Sequence, residues 1–161
     1  MEDHSSGNWT TADRLLAIEE IKKLKARYFR YMDTRDWAGM RDVFTADAVM
    51  DMREEMVSLV AAGMNVTGDG LLVGRDVIVP TMSAAVEATK TAHHGHMPEI
   101  DLLSENEATG IWPMEDVILF PPGSLRQRSQ GYGHYHETYV READGRWRIA
   151  RLKLTRLIPL G

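Results

Sequence analysis

The order of patterns along the chain predicts an α+β domain in which helices come first and strands follow. Three observations carry this. Apolar residues recur three or four apart from Thr10 to Asp33, the spacing of one helical face. Beyond His93, runs of strand character are separated by turn signals such as Ser104-Glu105-Asn106 and Ala143-Asp144-Gly145. A length of 161 residues, without internal repeat, low-complexity tract or linker, suits one domain with one core. Helices followed by strands imply helices laid over one face of a mainly antiparallel sheet.

In the first helix, Leu15, Ile18, Ile21, Leu24, Tyr28, Tyr31 and Met32 share a face. Thr10 and Asp13 can satisfy free amides in its first turn, and Lys22, Lys23, Lys25 and Arg27 occupy its second half, where the helix dipole favours cations. Thr34 and Asp36 can cap a short second helix carrying Trp37, Met40, Val43 and Phe44. Ala48 to Met52 read as a strand, with Val49 and Asp51 on one face and Ala48, Met50 and Met52 on the other. Arg53 to Gly74 has no clear period and is expected to form a mobile flap. Gly74 and Asp76 open a third helix reaching about Ala88, with Pro80 near its first turn, where amides have no helical partner. Four strands follow, over His93–Leu103, Ala108–Phe120, Gly131–Arg141 and Arg146–Ile158.

Composition narrows the function. With no cysteine, the chain has no disulfide framework and no thiolate or redox chemistry of its own, which suits a reducing cytoplasm, the expected location. The net charge of −5, with basic residues scattered among acids, argues against nucleic acid as a partner. The opening MEDHSSGNWT lacks the basic and apolar regions of a signal peptide, and residues 1–10 are expected to form a frayed arm before a domain spanning 11–161. No stretch approaches the roughly 20 apolar residues of a membrane span. Asn65-Val66-Thr67 matches the glycosylation triplet, a chance match in a chain without a secretory signal.

Few residues stand out as carriers of chemistry. Asp33 ends the first helix among aromatics, in Tyr28-Phe29-Arg30-Tyr31-Met32-Asp33, and either bonds nearby backbone amides as a helix-end residue or serves a site. Thr91-Ala92-His93-His94-Gly95-His96-Met97 holds three of the six histidines. On a strand, His94 and His96 point one way and His93 the other, with no acid at a telling offset, so no metal site is expected. Alternation puts Ala108, Gly110, Trp112, Met114 and Asp116 on one face of a strand, and Tyr132, His134, His136 and Thr138 on one face of the next. Large aromatics beside small residues can line a cavity or fill a core. Trp147 and Ile149 read as core.

Three runs together resemble a known family: Arg27-Tyr28-Phe29-Arg30-Tyr31-Met32-Asp33-Thr34-Arg35-Asp36-Trp37, then Thr91-Ala92-His93-His94-Gly95-His96-Met97-Pro98-Glu99-Ile100, then Gly145-Arg146-Trp147-Arg148-Ile149. They are similar to the SnoaL-like branch of the nuclear transport factor 2-like superfamily, over about Leu15 to Leu157. Within it they are most similar to the group holding scytalone dehydratase, bile acid 7α-dehydratase and hexachlorocyclohexane dehydrochlorinase. The resemblance implies a cone-shaped α+β barrel, with a strongly curved, mainly antiparallel sheet on three N-terminal helices and an internal pocket. It implies a catalytic Asp-His dyad on Asp33 and His93, and it matches Tyr28 to an active-site tyrosine and Asp116 to a further acidic residue of the bile acid enzyme. Trp112, Met114, Asp116, Met52 and Tyr31 are the expected substrate-binding residues. Met32, Met52 and Trp112 depart from scytalone dehydratase, and no arginine is matched to the dehydrochlorinase's pocket arginine.

The implied function is a cofactor-independent lyase or isomerase, dehydratase-like, acting on a small, largely apolar cyclic or polyketide-type molecule held in the pocket. His93 is the expected base, Asp33 its orienting partner and Tyr28 the hydrogen-bond donor. No metal or other cofactor is expected, and a homo-oligomer, trimer or dimer, is implied by analogy. Two alternatives stand beside it: a polyketide cyclase, which starts from the same proton abstraction, and a non-catalytic small-molecule-binding or assembly domain of the same fold.

Overall fold

A computed structural model describes residues 9–56 and 68–158. Helix α1 runs Thr11–Thr34, α2 Trp37–Val43 and α3 Arg75–Val86. The strands are β1 (Phe44–Asp51), β2 (Leu71–Val73), β3 (Lys90–Gly95), β4 (Glu99–Leu102), β5 (Glu107–Leu119), β6 (Arg128–Arg141) and β7 (Trp147–Ile158). The expected α+β order holds.

The helix ends follow from local chemistry. Thr10 and Asp13 form the full reciprocal capping box at the start of α1. At its other end Arg35 takes the left-handed conformation, φ 62°, and its guanidinium donates to the carbonyls of Met32, Val86 and Thr89 and to the Thr91 hydroxyl. One side chain thereby ties the end of α1 to the turn that leads into β3. Asp36 alone caps α2, accepting from the Gly39 amide, whereas Thr34 donates back to the Arg30 carbonyl. Phe44, read from sequence as helical, instead opens β1, because its backbone is already extended at φ −104°, ψ 148°.

Two expectations about α1 and α3 fail for reasons of packing. Leu15 is exposed, while Lys25 is wholly buried, because Glu137 on β6 meets its ammonium. Pro80 lies in the second turn of α3, beyond the amides that lack helical partners, so its ring removes a bond the helix would otherwise make. Of the expected arm and flap, residues 1–8 and 57–67, with the Asn65 triplet, lie outside the described residues. Trp9 packs against the core and Arg14 lies over its ring at 5.3 Å.

The sheet has seven strands in the order β2-β1-β7-β6-β5-β3, with β4 beside β5 along the same edge as β3. The strand expected over His93–Leu103 is therefore two, broken at residues 96–98. Every pairing is antiparallel except β1 with β7, which run parallel although they lie at opposite ends of the sequence. The sheet is mixed and does not close on itself. Its inner face packs on α1 and α3, and Ile21, Phe44, Ile78, Ile149 and Leu152 are among the fully buried side chains there. Trp147 and Ile149 join this core as expected. On β5 the expected face, Ala108 to Asp116, is the buried one. On β6 the buried face is the opposite parity from Tyr132, His134, His136 and Thr138, and carries Tyr135, Glu137 and Tyr139.

Candidate active site

Between the inner face of the sheet and the helices lies a cavity of about 130 Å³. Its wall is mostly apolar: Met32 from α1, Met50 and Met52 from β1 and just after it, Met82 and Val86 from α3, Ile118 from β5 and Leu154 from β7. Polar groups enter it in three sets.

The first set is the pair foreseen from sequence. Nδ1 of His93 lies 2.7 Å from Oδ1 of Asp33, and the His93 backbone amide donates to Oδ2 at 2.9 Å. Thr91 donates to Oδ1 at 2.8 Å and is itself fixed by Arg35. The His93 side chain is only 9 % exposed and lines the cavity, and Nε2 is the ring nitrogen that Asp33 leaves free. Burial pushes the Asp33 carboxyl up, but the ring, amide and charge of His93 and the Thr91 hydroxyl outweigh it and hold the group below the usual carboxylate range. His94 points elsewhere, largely exposed, with Nδ1 3.6 Å from Glu115.

Asp116 heads the second set. It is the direct cross-strand partner of His93, so both side chains stand on the cavity face. Its Oδ2 accepts from Nη2 of Arg156 at 2.9 Å, while Oδ1 is buried with no hydrogen-bond partner. Arg156 also makes a two-pronged pair with Glu55, through Nε to Oε2 and through Nη2 to Oε1 at 2.7 Å. Burial alone lowers the affinity of the guanidinium for its proton, and the carboxylates of Glu55 and Asp116 more than reverse that.

The third set lies beneath Tyr28. Tyr28 and Tyr135 both line the cavity and pack edge to face, 5.8 Å between ring centres. The Lys25 ammonium sits 3.5 Å from the centre of the Tyr135 ring and 4.0 Å from that of Tyr28, and pairs with Glu137. Glu137 accepts in turn from the Tyr139 hydroxyl, which accepts from the Trp112 indole at 2.8 Å. Burial lowers the Lys25 pKa to about 8 despite Glu137. Burial, with Glu137 adding to it, drives the Tyr28 phenol well above its usual value, so it remains a donor at neutral pH.

Of the residues expected from sequence, Tyr28, His93, Asp116 and Met52 stand on the cavity wall, and Asp33 holds His93 in place. Met114 is buried, with its sulfur 3.7 Å from Nη1 of Arg156. Trp112 is in the core, bonded to Tyr139 and packed near Gly95 and Phe29, and is not on the wall. Tyr31 faces away, on a surface groove with Lys23, Gly39 and Trp147. Sequence reasoning missed Arg156, Glu55 and Tyr135. Arg156 continues the alternate positions of Leu152 and Leu154, a signal open to inspection; Glu55 lies in a stretch without a period. Among the described residues no cluster of three or more His, Asp or Glu could hold a metal ion. None of their helices is long and apolar enough to cross a membrane.

An α+β cone with an internal apolar cavity, entered by an aspartate-held histidine, is the class of protein that fold and site define. The chain belongs to the SnoaL-like domain family, whose sequence profile matches residues 13–153. Solved structures share the fold. A candidate scytalone dehydratase from Novosphingobium aromaticivorans superposes with a TM-score of 0.75 at 21 % identity, over 92 % of this chain and 89 % of that one. A type 3 hexachlorocyclohexane dehydrochlorinase from Novosphingobium barchaimii gives 0.73 at 18 % identity, over 92 % of each chain. A candidate aromatic ring hydroxylase from Novosphingobium aromaticivorans gives 0.71 at 24 % identity, over 94 % of each. At these identities the likeness is one of fold.

Proposed function

We propose that the protein is a cofactor-independent lyase of the dehydratase type, acting on a small, largely apolar cyclic molecule. The observation that carries this reading is the 2.7 Å contact between Asp33 and Nδ1 of His93, on a histidine that lines an apolar cavity. A neutral imidazole that donates Nδ1–H to a carboxylate keeps its lone pair on Nε2, as a general base requires. Nε2 takes the proton from carbon beside a carbonyl, and Asp33 stabilises the imidazolium that forms. The carbon–hydrogen electron pair becomes the new double bond, the carbon–oxygen bond breaks, and the hydroxyl leaves as water with the proton from His93. Tyr28 donates a hydrogen bond to the developing oxyanion or to the leaving hydroxyl. Both scytalone dehydratase and hexachlorocyclohexane dehydrochlorinase, by name, eliminate a group, which supports the same reaction class here.

The test is to incubate the protein in D₂O with a panel of small cyclic β-hydroxy ketones, following loss of the α-proton and appearance of the enone by NMR. His93→Gln is expected to lower the rate about 10²–10⁴-fold, as loss of a general base does. Asp33→Asn lowers it strongly by releasing the wrong tautomer, and His94→Gln changes it little. A wild-type protein that neither exchanges nor eliminates, yet retains a small molecule in native mass spectrometry, is a ligand-binding domain instead.

A further inference from the structure

The charge arrangement around Arg156 says which chemical class the cavity accepts. An arginine fork on a cavity wall is ordinarily a site for a carboxylate or other anion. Here its Nε–Nη2 edge is filled from within. Glu55, 3 % exposed, takes Nε and Nη2 in a two-pronged pair, Asp116 shares Nη2, and Nη1 rests on the sulfur of Met114. Two carboxylates thus face one guanidinium, and Oδ1 of Asp116, on a residue 3 % exposed, remains an acceptor without a donor.

A buried acceptor left unmatched is unfavourable, and a ligand that donates to it removes that cost. Nε2 of His93, on the strand partner of Asp116, is a second acceptor when Nδ1 donates to Asp33. An entering anion would meet two acceptors and a guanidinium already paired with two carboxylates. A neutral hydroxyl compound would meet partners for its donors and an adaptable wall of methionines for its ring. An apolar cavity of about 150 Å³ already takes a benzene ring, so about 130 Å³ is of the right order for a single ring.

We propose that Glu55 sets the substrate class: by occupying Arg156 it closes the cavity to anions and leaves Asp116 to select neutral, ring-sized molecules that carry a hydroxyl. This rests on the reading above only in taking the cavity as the substrate site.

Calorimetric titration of the full chain at pH 7 with phenol, benzoate and toluene tests it, since the three share a ring and differ in carrying a donor, a negative charge or neither. Phenol is expected to bind the wild type at least tenfold more tightly than either of the others. In Glu55→Gln the guanidinium is partly freed and benzoate should gain at least tenfold. In Asp116→Leu, which removes the free acceptor, phenol should lose its advantage over toluene. Wild type that binds benzoate as well as phenol, or binds none of the three, overturns the inference. If Glu55→Gln does not fold, the wild-type ranking and Asp116→Leu still decide. The same ranking in His93→Gln, where the base is gone, separates this inference from the lyase reading: selectivity that survives beside a wild type without turnover sinks only the latter.

Discussion

At Asp33 three donors converge on one carboxylate, the ring of His93, its own backbone amide and the Thr91 hydroxyl. Removing only the last, with Thr91→Val, should lower turnover much less than Asp33→Asn, because the two bonds from His93 stay. The folded Asp33 holds its proton less tightly than the unfolded one. Its contribution to stability is therefore complete above the ordinary carboxylate range and fades as pH falls through the lowered folded value. Urea midpoints measured from pH 6 downward should converge for wild type and Asp33→Asn at the acid end. Lys25 gives a pH slope of the same sign, but in the alkaline range. Its folded pKa of about 8 lies below the ordinary lysine value of 10.5, so between those values the unfolded chain binds more protons and Lys25 adds stability as pH rises. Lys25→Met should flatten that rise. At neutral pH the single change leaves Glu137 buried without its cation and should cost about 3–5 kcal/mol, whereas Lys25→Met with Glu137→Leu should recover much of the loss. The contact between Asp33 and His93 was expected only through the family resemblance of the runs that hold them, since neither residue alone distinguishes a site from a helix end or a strand histidine. Lys25 was not legible: it is one lysine in a basic stretch, and only a carboxylate on a distant strand explains its burial.

Elements were legible where one period dominates, and less so where both faces are equipped. The capping box at Thr10 was readable from spacing, and Thr10→Ala should cost about 1 kcal/mol, measured by urea unfolding. On β5, small and large residues alternate with polar ones, and the buried parity followed. On β6 both parities carry aromatics and histidines or glutamate, so alternation alone could not say which faced the cavity. Within this strand Gly133 lies at a shift in the β6–β7 register, and a Cβ there would stand 2.1 Å from the Thr155 carbonyl oxygen. The strands must part locally to admit it. Gly133→Ala should therefore destabilise by about 1–3 kcal/mol, the scale of overpacking, and should weaken amide protection around Thr155 in hydrogen exchange. The break between β3 and β4 at residues 96–98 was missed although Gly95 and Pro98, both unfavourable within a strand, mark it.

For the molecule as a whole, the class of fold and the order of its parts were legible, since helix and strand periods fall in separate halves of the chain. The place of β1 in the sheet was not, because a parallel pairing leaves no local signature. By analogy with the fold, light scattering at micromolar concentration should give a mass above the 18.2 kDa of one chain. The parallel pairing of β1 with β7 bears on the order in which the molecule assembles. Met50 lies opposite Leu152, a contact about 100 residues apart, and contacts of such separation form late because long loops must close first. The β5–β6 hairpin is local and has no such delay. Arg156 sits on the last strand and brings Glu55 and Asp116 together only once that strand has docked. The dyad can thus be in place before its cavity has a wall. In pulsed exchange during refolding, amides of β5 and β6 should gain protection first and those joining β1 to β7 last. A nascent chain still lacking β7 would then expose His93 and a row of methionines to water, and it is at that stage, before the final strand arrives, that the protein is most open to aggregation.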